Sequence, residues 1–200
     1  MGNKGILFVV SGPSGVGKGT IIASVRQQLK DLHLSVSATT RLPREGEIEG
    51  KNYFFIQEPD FQNMIENDQL LEWAKVYSHY YGTPKQYVFE HLFAGQNVVM
   101  EIDTQGALQV KEKLPQGVFV FIAPPSIEDL EQRITKRGTD SAESIQARLE
   151  ACQYEMQQMK YYDYIVINQD LLVAVEKLKA IIMAEQCRCC YYDYYGGIQF

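Results

Sequence analysis

The chain has 200 residues, enough for one domain with a sizeable core and inserted lobes. Its composition, 46% hydrophobic and 22% charged, is that of a globular protein rather than a disordered or fibrous one. The net charge of −6 argues against a broad nucleic-acid surface. No apolar run approaches the roughly 18 residues that span a membrane, and the first residues do not read as a signal peptide.

The first element is an apolar run, Ile6 to Val10, that reads as a buried strand. It leads into Gly12-Pro13-Ser14-Gly15-Val16-Gly17-Lys18-Gly19-Thr20, and a helical pattern opens at Ile21. Strand, glycine-rich turn and helix form the context of a phosphate-binding P-loop. The glycines let successive backbone N–H groups converge on one phosphate, and the helix points the positive end of its dipole at the same place. Lys18 adds a full charge that can reach the β- and γ-phosphates, and Thr20 offers a hydroxyl for Mg²⁺. The loop departs from the common motif in one way. Gly19 stands directly after the lysine where Ser or Thr is usual, and this Gly-Lys-Gly-Thr form resembles the loops of nucleoside monophosphate kinases.

The helix after the loop is expected to run to about Asp31, and Leu34 to Ser37 reads as a short strand. Arg41 and Arg44 then flank Pro43 in a polar segment. From the residues alone they fit either a bidentate phosphate clamp or a solvated loop. Phe61, Met64 and Ile65 follow Pro59 at helical spacing. Leu70 to Ala74 reads as a strand holding Glu72 between apolar neighbours. A carboxylate there either faces solvent or needs a partner. Pro84 opens a helix that ends near Gly95.

The next strand ends in two acids, Glu101 and Asp103. In parallel α/β sheets ligands sit beyond the carboxyl ends of the strands. Glu101 could support a metal's water shell or fix the P-loop. Val118 to Ala123 is a further buried strand, stopped by Pro124-Pro125. Ser126 and Asp129 have the spacing of a helix cap. Arg133 and Arg137 share one helix face, and Arg148 flanks the stripe Ile145, Leu149, Cys152, Met156 and Met159 on the next helix. Tyr164 to Ile167 is the last strand, with Asn168 at its end, and a closing helix starts at Leu171. Three of the four cysteines, Cys187, Cys189 and Cys190, crowd the C-terminus without zinc-site or disulfide-framework spacing. A reducing cytoplasm is the simplest setting.

Ser-Ala-Thr-Thr-Arg-x-Pro-Arg-x-Gly-Glu from Ser37, the run Gly50-Lys51-Asn52-Tyr53-Phe54, and Ala-Pro-Pro-Ser-x-Glu-Asp-Leu from Ala123 carry a resemblance to guanylate kinases. It covers roughly residues 4 to 186. The resemblance implies an α/β P-loop nucleoside-monophosphate-kinase fold, a mostly parallel sheet flanked by helices. Its core would be residues 1–35, 91–125 and 151–186, with a GMP-binding lobe at 36–90, a lid at 126–150 and a tail at 187–200. By the same resemblance Arg41, Arg44, Tyr53 and Tyr81 hold the GMP phosphate. Ser37, Glu72, Thr83 and Asp103 read guanine, Thr83 standing where many members have serine. Asn168 lies at the adenine of ATP. Arg133, Arg137 and Arg148 of the lid close over the phosphoryl group, with Lys18 and Arg41 also catalytic. The implied partners are ATP and GMP or dGMP, with Mg²⁺ as cofactor. Two rival readings are a related kinase for another phosphorylated acceptor and a non-catalytic module that binds proteins. The paired acids Glu72 and Asp103 count against the first, and Lys18 counts against the second.

Overall fold

The computed structural model of the chain describes residues 5–76, 78–130 and 151–188. Its elements begin with β1 (Leu7–Ser11), α1 (Lys18–Gln28), β2 (Leu32–Leu34), β3 (Ala38–Thr39), β4 (Phe54–Phe55) and α2 (Glu58–Glu66). Next come β5 (Leu70–Val76), β6 (His79–Pro84), α3 (Lys85–Phe93), β7 (Asn97–Glu101) and α4 (Thr104–Lys113). They close with β8 (Val118–Ala123), β9 (Tyr164–Ile167) and the C-terminal helix α5 (Leu171–Gln186).

β1 is buried along its whole length. A strand apolar on both faces belongs inside a parallel sheet covered on both sides. It lies at the centre of five parallel strands in the order β2-β7-β1-β8-β9. Side chains alternate across it. Phe8 and Val10 face a core shared with Ile21, Ile22 and Val25 of α1 and Leu178 and Ile182 of α5. Leu7 and Val9 face the opposite core, with Val88 of α3 and Ala107 and Val110 of α4. Each such valine, leucine, isoleucine or phenylalanine stabilises the fold by about 1.5–3 kcal/mol when fully buried. The loop after β1 thus rests on a stiff platform.

A second sheet, of mixed sense, has the order β4-β3-β6-β5. Its own small core joins Ala38 and Leu70 to Phe61 of α2. The chain passes from one sheet to the other at residues 35–37. Ser35 N–H still donates to Val99 of β7 (2.9 Å), whereas the Ser37 carbonyl accepts from Phe54 (2.9 Å).

Helix α4 fastens β5 to the main sheet's layer. The Gln109 side chain accepts from Trp73 N–H (3.1 Å) and donates to Trp73 C=O (3.0 Å), as a neighbouring strand would. Lys113 Nζ donates to the Leu70 carbonyl at 2.8 Å. Gly106 lies so close that a Cβ there would stand 2.9 Å from Glu72 Oε2, so only glycine fits without movement.

Several element bounds differ from those read in the sequence. Helix α1 stops at Gln28, because Leu29 turns extended (φ −108°, ψ 94°) and buried Leu32 already pairs with Asn97. Leu34 to Ser37 is not one strand, since this stretch is the crossing between sheets. The apolar stripe ends at Met156, and Met159 is exposed on a 3-10 turn (Gln158–Tyr161). The cap is as expected: Asp129 N–H donates to Ser126 Oγ (3.0 Å), and that hydroxyl donates to Asp129 Oδ2 (2.7 Å). Arg133, Arg137 and Arg148 lie outside the described residues, as do Ile145, Leu149, Cys189 and Cys190.

Candidate active site

The P-loop leaves the carboxyl end of β1 and enters α1 at Lys18. Lys18 Nζ is turned back into the loop and donates to the carbonyls of Gly12 (2.6 Å) and Pro13 (3.2 Å). Burial holds its ammonium below the ordinary lysine range, against the pull of Glu101, Glu155 and Asp103. Asn168, at the end of β9, donates through Nδ2 to the Val16 carbonyl at 2.8 Å. That bond fixes the loop from the far side. Gly19 has a local reason. A Cβ there would meet the Glu101 carboxylate at 3.3 Å, so the usual Ser or Thr would crowd this acid. Thr20 is exposed at the mouth.

A cavity of about 630 Å³ opens over the loop. Its walls run from Lys18 and Thr20 past Glu101 and Asp103 to Ser37 and Tyr53. Beyond Ser37 lies a buried polar chain. Ser37 Oγ and Thr83 Oγ1 are 3.1 Å apart, and Thr83 Oγ1 donates to Glu72 Oε1 at 2.7 Å. Glu72 is only 7% exposed. Burial pushes its carboxyl up to about 7, with Asp103 adding to the rise and the Thr83 bond opposing it. Asp103 caps α4, accepting the Gly106 N–H at 2.7 Å. Two carboxylates and two hydroxyls, from both sheets and the crossing between them, thus converge.

Near Tyr53 stands Arg41, its side chain 12% exposed. Glu47 grips it end-on, Nη1 and Nη2 donating at 3.0 and 2.8 Å, and Nη1 also donates to the Leu42 carbonyl at 2.7 Å. Tyr53 and Phe55 offer their rings at 5.6 and 5.9 Å. Arg41 Nε is buried and has no hydrogen-bond partner among the described residues. Together with the second hydrogen of Nη2 it forms a side-on fork, the geometry that receives two oxygens of an anion. Tyr81 lies beside this guanidinium and meets Tyr53 edge-on at 6.0 Å. Arg44 is exposed, its backbone N–H donating to Glu47 at 2.7 Å.

The model of the guanylate kinase family matches residues 4–185. A guanylate kinase of Caldanaerobacter subterraneus subsp. tengcongensis is 58% identical, over 92% of this chain and 90% of its own length. One of Syntrophomonas wolfei is 56% identical, over 94% and 96%. The chain belongs to the guanylate kinase family. The crystal structure of guanylate kinase from Anaplasma phagocytophilum superposes with a TM-score of 0.76 at 31% identity, covering 95% of this chain and 90% of that one.

Of the residues assigned by the resemblance, Ser37, Tyr53 and Asp103 line the cavity with the P-loop, Arg41 and Thr83 stand against Tyr53 and Ser37, and Arg44 is exposed. Sequence reasoning gave no role to three side chains that matter to the geometry. Glu47 lies inside the signature, six residues after Arg41, and its role shows only once the turn folds. Gln109 reads as an ordinary helix surface residue. Glu155 lines the cavity from helical residues 151–157, far in sequence from the loop it faces.

Proposed function

We propose that this chain transfers the terminal phosphoryl group of ATP to GMP, yielding ADP and GDP, and that it accepts dGMP as well. The observation that carries the base assignment is the buried Ser37–Thr83–Glu72 chain at the end of the P-loop cavity. Guanine presents N1–H and N2–H₂ donors beside an O6 acceptor. Carboxylates at Glu72 and Asp103 with hydroxyls at Ser37 and Thr83 complement that edge. The groups named here read base and phosphate rather than sugar, which is the reason to expect dGMP as a substrate.

In this reading the loop from Gly12 to Thr20 binds the ATP phosphates, and Lys18 leaves its two carbonyls to meet them. Asn168 supports the loop on the adenine side. The side-on fork of Arg41, with Arg44, Tyr53 and Tyr81, holds the acceptor phosphate. Phosphoryl transfer of this kind rests on positioning and charge stabilisation. The acceptor is already a phosphate anion, so no side chain has to remove a proton. Arg133, Arg137 and Arg148 are assigned to neutralising charge on the moving group, on their signature alone.

The hydroxyl of Thr20 and the acid Glu101 beside Gly19 are hard oxygen donors at the cavity mouth. They suit Mg²⁺, which takes few protein ligands when phosphates supply the rest. Mg²⁺ would there neutralise phosphate charge. Cys152 and Cys187 are free thiols, in keeping with a cytoplasmic setting. Among the described residues no helix is long and apolar enough to cross a membrane.

The test is a coupled assay with ATP against GMP, dGMP, AMP, CMP and UMP. AMP lacks the N1 hydrogen and places a donor where guanine has O6. It would leave buried polar groups unpaired, and a site of this type rejects such an analogue by about 10⁴-fold in kcat/KM. Comparable use of AMP and GMP would overturn the base assignment.

A further inference from the structure

Four aromatic rings link the small sheet to the edge of the main one. Phe54 of β4 meets Tyr87 of α3 edge-on at 5.9 Å, and Tyr87 meets His91, one helical turn on, at 4.8 Å. His91 then stacks on His33 of β2, the ring centroids 4.6 Å apart and the planes 22° from parallel. This line of rings is tied to the crossing between the sheets. The Tyr87 hydroxyl donates to the Leu34 carbonyl at 3.4 Å, and Phe54 N–H donates to the Ser37 carbonyl at 2.9 Å. Leu34, Ser35 and Ser37 in turn line the P-loop cavity.

A histidine pair packed this way responds to protons. Gln96 Oε1 can only accept, so at 2.5 Å His91 Nδ1 is the donor and Nε2 is the nitrogen left to take up a further proton. Two stacked imidazoles tolerate one charge. A second sets like charges face to face, so the pair titrates in two separated steps. The surroundings add to the bias. Arg26 of α1 is held beside β2, its Nε donating to the Leu32 carbonyl at 3.2 Å. Burial, His91 and Arg26 hold the His33 imidazole below the ordinary histidine range, and Asp31, in the turn before β2, opposes them. With Tyr87 these are the titratable and charged groups that face the pair among the described residues. Both rings are half-buried, so protons from solvent reach them.

We propose that His33 and His91, with Tyr87, are positioning residues of the acceptor site: a clasp between β2 and α3 that holds the crossing in place for GMP and opens when both imidazoles carry a proton. This inference rests on the assignment of the cavity's far end to GMP. None of the three residues touches substrate. They act through Leu34 and Phe54 on Ser37 and on Tyr53, the residue before Phe54. The P-loop is carried by β1, which β7 separates from β2. Affinity for GMP therefore falls as pH drops through the second protonation step, and nucleotide binding at the P-loop does not follow it.

The experiment is calorimetric titration of the full chain with GMP between pH 5 and 8, for wild type and His33→Phe, beside NMR titration of the imidazole protons. The variant keeps a ring in the stack and removes one of the two charges. Comparing the proteins at each pH cancels the titration of the GMP phosphate and of Glu72. From pH 8 to pH 5 wild type should lose about tenfold more affinity for GMP than the variant, the equivalent of one pKa unit. Binding of ADP should change alike in both. The His91 signals should titrate at lower pH in wild type than in the variant, where the second charge is gone. A packing role alone would shift affinity equally at every pH. His91→Phe, which also gives up the Gln96 bond, serves with the His33 signals if His33→Phe does not fold. Parallel pH profiles for wild type and a folded variant overturn the clasp and leave the acceptor site standing. Failure of wild type to bind GMP at any pH overturns both.

Discussion

At the scale of single residues, Lys18 and Glu72 carry the sharpest expectations. Lys18→Ala removes the one full positive charge of the loop. In the proposed function this loses a donor aimed at developing phosphate charge, which costs about 10²–10³-fold in kcat, and the melting temperature should move little because, among the described residues, the ammonium's hydrogen bonds go to two loop carbonyls. Steady-state rates beside a thermal melt check both halves. Glu72 couples chemistry to pH. Its carboxyl is raised from about 4.5 to about 7 in the fold. A raised acid stabilises the folded state fully below its unfolded value and loses that contribution as pH climbs through the folded one. Between pH 4.5 and 7 this amounts to at most about 3 kcal/mol. Glu72→Gln lacks the slope, so the variant should match wild type near pH 5 and melt higher at pH 8. Its kcat/KM for GMP should nonetheless drop roughly tenfold to a hundredfold, since an amide presents a donor to guanine's donors. A variant less stable at pH 8 would show that Glu72 is not buried as a strained acid.

At the scale of elements, the turn from Arg41 to Glu47 is a small device for presenting one guanidinium. Glu47 holds the end-on face, and in the proposed function the side-on face receives the acceptor phosphate. Glu47→Gln should raise the KM for GMP about threefold to tenfold by releasing Arg41 from its orientation, with little change in the KM for ATP. An unchanged KM for GMP would mean that the Tyr53 and Phe55 rings suffice. This turn also marks how far the sequence could be read. Strands β1, β7 and β8 were legible because each is a continuous apolar run between turn signals, and the P-loop because its glycines mark a backbone shape. The two arginines were legible as types but not as partners. Which face of Arg41 is occupied depends on where the chain returns at Glu47, and no periodicity records that. Asn168 shows the same limit. Its place at the end of β9 was readable, but its bond to the Val16 carbonyl spans most of the chain. Helix α1 was read as too long for a related reason, because Leu32 was already claimed by β7.

At the scale of the whole molecule, the two sheets meet along one seam. There the Gln109 amide pairs with both backbone groups of Trp73, Lys113 reaches Leu70, and Gly106 lets Glu72 approach α4. The small sheet is thus moored at β5, the strand of Glu72, while the Arg41 turn, Tyr53 and Arg44 hang from its opposite edge, β3 and β4. Any swing of this sheet against the main one would therefore have its axle at the Glu72 end. With the base and phosphate placed as in the proposed function, the base would be taken up by groups that travel little, and the arginine end would sweep the wider arc, carrying the acceptor phosphate toward the P-loop like the free end of a lever. Gln109→Ala loosens the axle without touching any group assigned to substrate. It should lower kcat more than it alters binding of GMP, as measured by titration beside single-turnover rates, because a wandering axle spoils alignment at the far end first.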